Sequence, residues 1–432
     1  MSNKEYIHVG LLGLGVIGTG VARTLVNRAD ELSRQVGCQL ALKKALDCDV
    51  TRKSTSGIPD HMFTTDADQI LEDPDIDIVV EVIGGDTDAF EYFKKALVRR
   101  KHVVTANKEL ISKHMAELIA LATENNVDIR YEASVGGGIP IVSPLKQDLV
   151  ANNIIAINAI INGTTNYIVT HMAAENMDFS IALKQAQELG YAEADPANDI
   201  EGIDAAYKLA ILATIAFRSE IGPQDIYCEG ISRLSSRDFR YARELGYAIK
   251  LLAIARSDHD SVQVRVHPSF IPEETLLANV DGVFNAIEVE GDLTGKVIFY
   301  GRGAGSLPTT SAIVSDVLRI AQRIHLGLPP TTQPITSSVK KITPISEIVS
   351  RYYMRLTIDD SPGVLAQISK ILGDHLISIA SVIQKEADEK SQTAEIVIMT
   401  HPARESAVQK AIQETEAIPV VKEIGNLIRV VD

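Results

Sequence analysis

The sequence predicts an α/β protein of several domains: a parallel sheet flanked by helices, then a mixed α/β region, then a small β-α-β-β-α-β domain. Three observations carry this. Buried-strand runs alternate with amphipathic helical stretches over residues 1–133. A glycine triplet joins the first strand to the first helix. Residues 351–432 repeat strand and helix in the split βαβ order of ferredoxin-like domains. A chain of 432 residues is too long for one ordinary core, and about two to four domains are expected.

The elements follow in order. "YIHVGLL" is a short buried strand, and "VARTLVNRADELSRQ" after the glycines has helical period. "CQLALKKALDC", "IDIVVEVIG" and "HVVTAN" are strands, with "AFEYFKKALVRR" and "ELISKHMAELIALATENN" as helices between and after them; "VDIRYEAS" follows. This alternation means βαβ units. From about residue 150 the texture changes. "IIAINAIING" is strand-like, and helices are expected at 164–175, 180–189, 203–217 and 238–247. "IKLLAIARS", "VQVRVHPSFI", "FNAIEVEG" and "KVIFYG" read as strands of one mixed sheet. The helix 309–324 is expected to pack back on the first domain. The expected domains are therefore 1–133 (completed by 309–324), 134–308, a Pro/Ser/Thr-rich linker at 326–350, and 351–432.

Composition narrows the function. The net charge is −15 with no block of basic residues, which argues against nucleic acid and acidic membrane surfaces as partners. Cys38, Cys48 and Cys228 form no CxxC pair or metal-finger spacing, so a reduced, cytoplasmic compartment fits. The apolar N-terminus is interrupted by glycines, which suits strand, turn and helix better than a secretory segment. No run approaches a membrane span.

Gly13-Leu14-Gly15-Val16-Ile17-Gly18 is a G-x-G-x-x-G loop between a strand and a helix, the context of a Rossmann-type dinucleotide site. Gly13 permits the turn, Gly15 lets the backbone approach a pyrophosphate, and Gly18 lets helix and strand pack closely. The alternative is a purely structural turn. Asp47 and Asp49 lie farther on than the usual ribose-binding acid, and Arg52 and Lys53 follow directly. An acid favours NAD and a base NADP, so the choice stays open.

The segment "LGYAEADPANDIEGIDAAYKLAIL" carries the other signal. Glu193, Asp195, Asp199, Glu201 and Asp204 crowd the approach to a helix whose only charge between Asp204 and Arg218 is Lys208. Asp204 and Lys208 share one helical face. An ordinary surface ion pair is the plain alternative, but a surface helix would carry more polar residues. Lys108 follows a strand at the ligand-binding edge of a parallel sheet, where a solvated loop lysine is equally ordinary. Such lysines can protonate a developing alkoxide, and the acids can hold an ammonium group. Together they point to a nicotinamide enzyme acting on an amino-acid-like carbonyl.

Residues 186–208, "AQELGYAEADPANDIEGIDAAYK", resemble the homoserine dehydrogenase signature over its whole length. "GLGVIG", "TANK", "EASVGGGIPI", "NGTTNYI" and "GRGAG" resemble the family's other segments in order, over residues 1 to about 325. The tail, with "DDSPGVLAQI", resembles an ACT domain, a small-ligand regulatory module. The resemblance implies interconversion of L-aspartate 4-semialdehyde and L-homoserine with NADP or NAD, in threonine, methionine and isoleucine biosynthesis. It implies Lys208 as proton donor and Lys108 near the reacting centre. Glu193 and Asp204 match the acids that bind substrate, and Gly190 and Gly303 the glycines on the nicotinamide side. It also implies a monovalent cation, usually sodium, on main-chain oxygens of Glu132, Val135, Gly137 and Ile139. The expected effector is threonine, and a homodimer or homotetramer is expected. A dehydrogenase of another semialdehyde or amino acid and a decayed amino-acid sensor are the rivals; the full Glu193–Asp204–Lys208 set argues against the first, and the intact glycines, acids and lysines against the second.

Overall fold

A computed structural model describes residues 4–258, 260–334, 340–388 and 392–431. The chain divides into two compact units: 1–154 with 207–224 and 285–340, and 155–206 with 225–284 and 341–432.

The first unit opens with β1 (Tyr6–Leu12), β2 (Gln39–Leu46), β3 (Phe63–Thr64), β4 (Ile76–Glu81), β5 (His102–Thr105) and β6 (Ile129–Arg130). They form one parallel sheet in the order β3-β2-β1-β4-β5-β6, a doubly wound Rossmann arrangement that reverses direction beside β1. Ile7, Val9 and Leu11 are fully buried together with Ile78, Val80 and Val104, as strands covered on both faces require. The region expected to be one helix after the glycines is two, Val16–Asn27 and Ala29–Val36, interrupted at Arg28. The helix Ser306–His325 puts Ile313, Val317 and Ile320 into the same core. "VDIRYEAS" yields only the short β6 and a single turn of 3-10 helix, Glu132–Ser134.

The second unit takes up β7 (Ile154–Ile160), β8 (Tyr227–Cys228), β9 (Tyr247–Asp258) and β10 (Ser261–Pro272). The chain returns to the first unit for β11 (Phe284–Gly291) and β12 (Gly295–Arg302). It then supplies β13 (Lys341–Ile342), β14 (Val349–Asp359), β15 (Ile379–Asp388), β16 (Thr393–Thr400), β17 (Ala403–Arg404) and β18 (Val421–Val430) to the second. There the strand order is β7-β9-β10-β18-β14-β16-β15. The last four strands, with helices Val364–Asp374 and Glu405–Glu416, have the ferredoxin-like order and their own apolar core around Tyr352, Leu356, Ile368, Ile396 and Val408.

Within residues 326–350 the chain is held at two places. Thr331 and Thr332 N–H donate to the buried Asp128 carboxylate at 2.6 and 2.9 Å, and β13 pairs with β10; residues 335–339 lie outside those described. β18 of the tail hydrogen-bonds to β10, within the unit that holds residues 155–206, 225–284 and 341–432.

Candidate active site

The glycine loop has the form its sequence demands. Gly13 has φ +102°, and a side chain there would press on Val82 O at 2.9 Å. A Cβ on Gly18 would lie 1.9 Å from Gly13 O, so only glycine lets the helix start this close to the turn. A Cβ on Gly15 would meet nothing within 4 Å, leaving the outer side of the loop open. Gly15 caps the helix Val16–Asn27 without a side-chain hydrogen bond. The N–H groups of Val16, Ile17 and Gly18 in its first turn suit a pyrophosphate. Asp47 accepts from Leu14 N–H at 2.8 Å and Asp49 N–H at 2.9 Å, so its carboxylate braces the loop.

Lys108 opens the helix Lys108–Glu124 directly after its cap, Asn107, whose Oδ1 accepts from Leu110 N–H at 3.1 Å. Asn107 is held in turn: its N–H donates to Thr105 Oγ1 at 2.9 Å, and Thr105 Oγ1–H donates to Glu81 Oε2 at 2.6 Å. Glu81 is fully buried. Burial pushes its carboxyl above the usual range, against the hydrogen bonds from Thr105 and Ile83 N–H that favour its charged form.

The loop Glu132–Ile139 turns on Gly136 and Gly137, at φ +71° and +55°. A Cβ on Gly137 would lie 2.4 Å from Gly303 O, so this loop and the "GRGAG" segment touch backbone to backbone. A Cβ on Gly303 would in turn lie 1.7 Å from Asn285 Nδ2. The Glu132 carboxylate accepts from Ile141, Val142 and Ser143 N–H at 2.7 to 2.8 Å and so anchors the next helical turn. Its N–H donates to Asp316 Oδ2 at 2.9 Å, and burial pushes the Asp316 carboxyl up to about 6. Among the described residues no three His, Cys, Asp or Glu side chains cluster as metal ligands, so any cation here would rest on carbonyls. Ser134 N–H and Ile139 N–H use the carbonyls of Tyr131 and Gly136. The carbonyls of Glu132, Val135, Gly137 and Ile139, the four the resemblance implied, are not the acceptors of these two bonds.

The acidic segment separates into two parts. Gly190, at φ +74°, and Glu193 lie in the exposed turn before Pro196; the Glu193 side chain makes no hydrogen bond among the described residues. Beyond Pro196, Asp199 and Asp204 turn inward while Glu201 stays exposed. Asn162 Nδ2 donates to Asp199 Oδ1 at 2.6 Å and to Asp204 Oδ2 at 2.9 Å. Asn162 Oδ1 accepts from Thr165 N–H at 2.8 Å and so caps the helix Gly163–Glu175. Asp204 lies in the first turn of the helix Ile203–Phe217, with Lys208 four residues on. Both are buried, at 4% and 9% exposure, which rules out the surface ion pair.

Comparison with known proteins completes the picture. The family profile described as homoserine dehydrogenase matches residues 140–318, its NAD-binding domain 13–132, and the ACT domain 352–420. The homoserine dehydrogenase of Neisseria gonorrhoeae is 42% identical over 433 residues, 98% of this chain and 98% of the relative. The chain belongs to the homoserine dehydrogenase family. The Bacillus subtilis homoserine dehydrogenase is 38% identical over 98% of both chains. The crystal structure of a homoserine dehydrogenase from Thiobacillus denitrificans superposes with a TM-score of 0.93 at 42% identity, covering 100% of each chain. A hyperthermophilic archaeal homoserine dehydrogenase solved with NADPH is 28% identical, with a TM-score of 0.63, over 74% of this chain and 98% of that one. As a homoserine dehydrogenase the chain is an NAD(P)-dependent oxidoreductase with an ACT domain.

Sequence reasoning missed residues that brace the candidate site. Asn162 lay inside "NGTTNYI" and Asp199 inside the acidic segment, but nothing local shows that they meet. Glu81 was the legible one, an acid ending the otherwise apolar run "IVVE".

Proposed function

We propose that Lys208 is the proton donor and that Asp204 and Glu193 hold the amino-acid substrate. The observation that carries this reading is the buried helix start, where Asp204, fixed by Asn162, stands one turn before a buried lysine on an apolar helix. The bound cofactor supplies or accepts the hydride. Lys208 gives its proton to the aldehyde oxygen as the alkoxide develops and recovers one from solvent; in the reverse direction it takes the hydroxyl proton. By the resemblance the carboxylates meet the substrate's ammonium and hydroxyl ends, and Lys108, which opens the helix capped by Asn107, adds positive charge near the reacting carbon. Gly15 and Gly190, where a Cβ would meet nothing, leave room for the dinucleotide, Gly13 and Gly18 shape the loop that receives it, and Gly303 stands on the nicotinamide side by the resemblance. The loop Glu132–Ile139 takes a monovalent cation, sodium by the resemblance, which fixes the turn against Gly303. The ACT domain senses threonine, and the enzyme serves threonine, methionine and isoleucine synthesis in the cytoplasm as a homodimer or homotetramer.

The test is nicotinamide absorbance with aspartate semialdehyde, with NADH and NADPH in parallel, on wild type and Lys208→Ala. Lys208→Ala is expected to lose about 10²–10⁴-fold in kcat with cofactor affinity retained. A variant with near wild-type kcat reassigns the donor. Glu193→Gln is expected chiefly to raise KM for homoserine; a flat KM removes it from the substrate site.

A further inference from the structure

We propose that the ion pair between Arg429 and Glu229 is a positioning element for the substrate acids, connecting the last strand of the ACT domain to the turn that carries Asp199 and Asp204. The proposal rests on the substrate-site reading given above.

Arg429, on β18, is 2% exposed. Its Nη1 donates to Glu229 Oε2 at 2.8 Å, while Nε and Nη2 grip both oxygens of Glu405 at 2.9 and 2.7 Å. Tyr227 OH donates to the same Glu229 oxygen at 3.1 Å, and the guanidinium lies 5.1 Å over the Tyr227 ring. Glu229 therefore ties the segment 227–231 to the ACT domain by its charge, with Tyr227 as a second hold.

That segment is bonded in turn to the acidic segment. Cys228 Sγ–H donates to Glu201 O at 3.1 Å, and Ile231 N–H donates to Ile200 O at 2.8 Å. The packing between them leaves no slack. A Cβ on Gly230 would lie 2.4 Å from Ile200 O, and one on Gly202 would lie 3.0 Å from Cys228 Sγ. Gly202 N–H closes the turn onto Asp199 O at 3.0 Å, and Ala206 N–H onto Gly202 O at 3.0 Å begins the helix of Asp204. Asn162 then joins the two carboxylates. A displacement of Glu229 has a continuous bonded route to the substrate acids, and along it no contact passes through the cofactor loop. Such a route alters substrate binding more than the chemical step.

The experiment is steady-state kinetics on the full chain with Glu229→Gln, which removes the charge and keeps the shape, and Glu229→Asp, which keeps the charge. Glu229→Gln is expected to raise KM for homoserine roughly threefold to thirtyfold, the range for mutations that modulate coupling. Its kcat, cofactor KM and Tm are expected to stay near wild type, and Glu229→Asp to recover part of the loss. If Glu229→Gln fails to fold, Tyr227→Phe, which removes one hydrogen bond to the same carboxylate, carries the same test. An unmoved homoserine KM overturns the proposal, as does a joint decline of kcat, cofactor KM and Tm, the pattern of a merely structural contact. Asp204→Asn is measured alongside. If its homoserine KM is flat, the substrate-site reading itself fails; if it rises while Glu229→Gln stays flat, only the present inference fails.

Discussion

At the scale of single residues, the candidate site includes groups held in places that ordinary side chains avoid. Gly137 has a left-handed backbone and no room for a Cβ against Gly303 O. Gly137→Ala is expected to cost at least about 1–3 kcal/mol, since strain and overlap act together; denaturant unfolding measures it. Asp316 gives a pH signature. Its carboxyl is raised from the usual 3.8 to about 6, first by burial and then by nearby Glu132. A raised carboxyl favours the folded state when protonated, so its contribution is complete below about pH 4 and is lost as pH rises through about 6. Asp316→Asn keeps an oxygen for Glu132 N–H but cannot ionise. The Tm of this variant relative to wild type is therefore expected to climb between pH 4 and pH 6 and then level off. A difference that is constant across that range contradicts the assignment.

At the scale of elements, β14 shows how one strand serves two surfaces. Its alternation sends Tyr352, Met354, Leu356 and Ile358 into the ACT core and Tyr353 and Arg355 to the opposite face. There Asp238, in the first turn of the helix Ser236–Glu244, forms a capping box with Ser235 and is fully buried. It accepts from Arg355 Nε at 2.7 Å, Tyr353 OH at 3.1 Å and Asn426 Nδ2 at 3.1 Å. Burial alone would lower the pKa of Arg355; its bond to Asp238 outweighs that and raises it. Arg355→Met leaves Asp238 buried with no cation, and a loss of about 3–5 kcal/mol in unfolding free energy is expected. A loss below about 1 kcal/mol would mean that the neutral donors suffice for the carboxylate.

At the scale of the whole molecule, the tail is an ACT domain with its own core and yet a part of a larger sheet. Its first helix, Val364–Asp374, begins directly after Gly363, a left-handed cap. The N–H groups there, beside Asp359 and Asp360, are where an amino-acid effector is proposed to bind. A chain ending after residue 330 is expected to lose threonine inhibition. It is also expected to lose thermal stability, because Asp238 and Glu229 lose Arg355 and Arg429 and β10 loses β18. Threonine titration and calorimetry of both lengths check this. Equal inhibition of the two would place the effector site outside the tail.

The sequence alone determined what local rules control. The glycine loop, the βαβ alternation and the lone lysine on an apolar helix were legible because backbone sterics and hydrophobic period act within a few residues. The long acidic segment was legible because its residue types are rare in combination. Only the tertiary structure decided which acid meets which partner. Asn162 bridges two carboxylates 37 and 42 positions away, Asp316 reaches Glu132 across 184, and Arg429 reaches Glu229 across 200. No periodicity encodes such pairs; they form because a buried polar group must find a partner among whatever the fold brings near it. The composition of residues 326–350 looks like a free linker, but Asp128 and β10 offer unpaired groups that the chain fills as it passes.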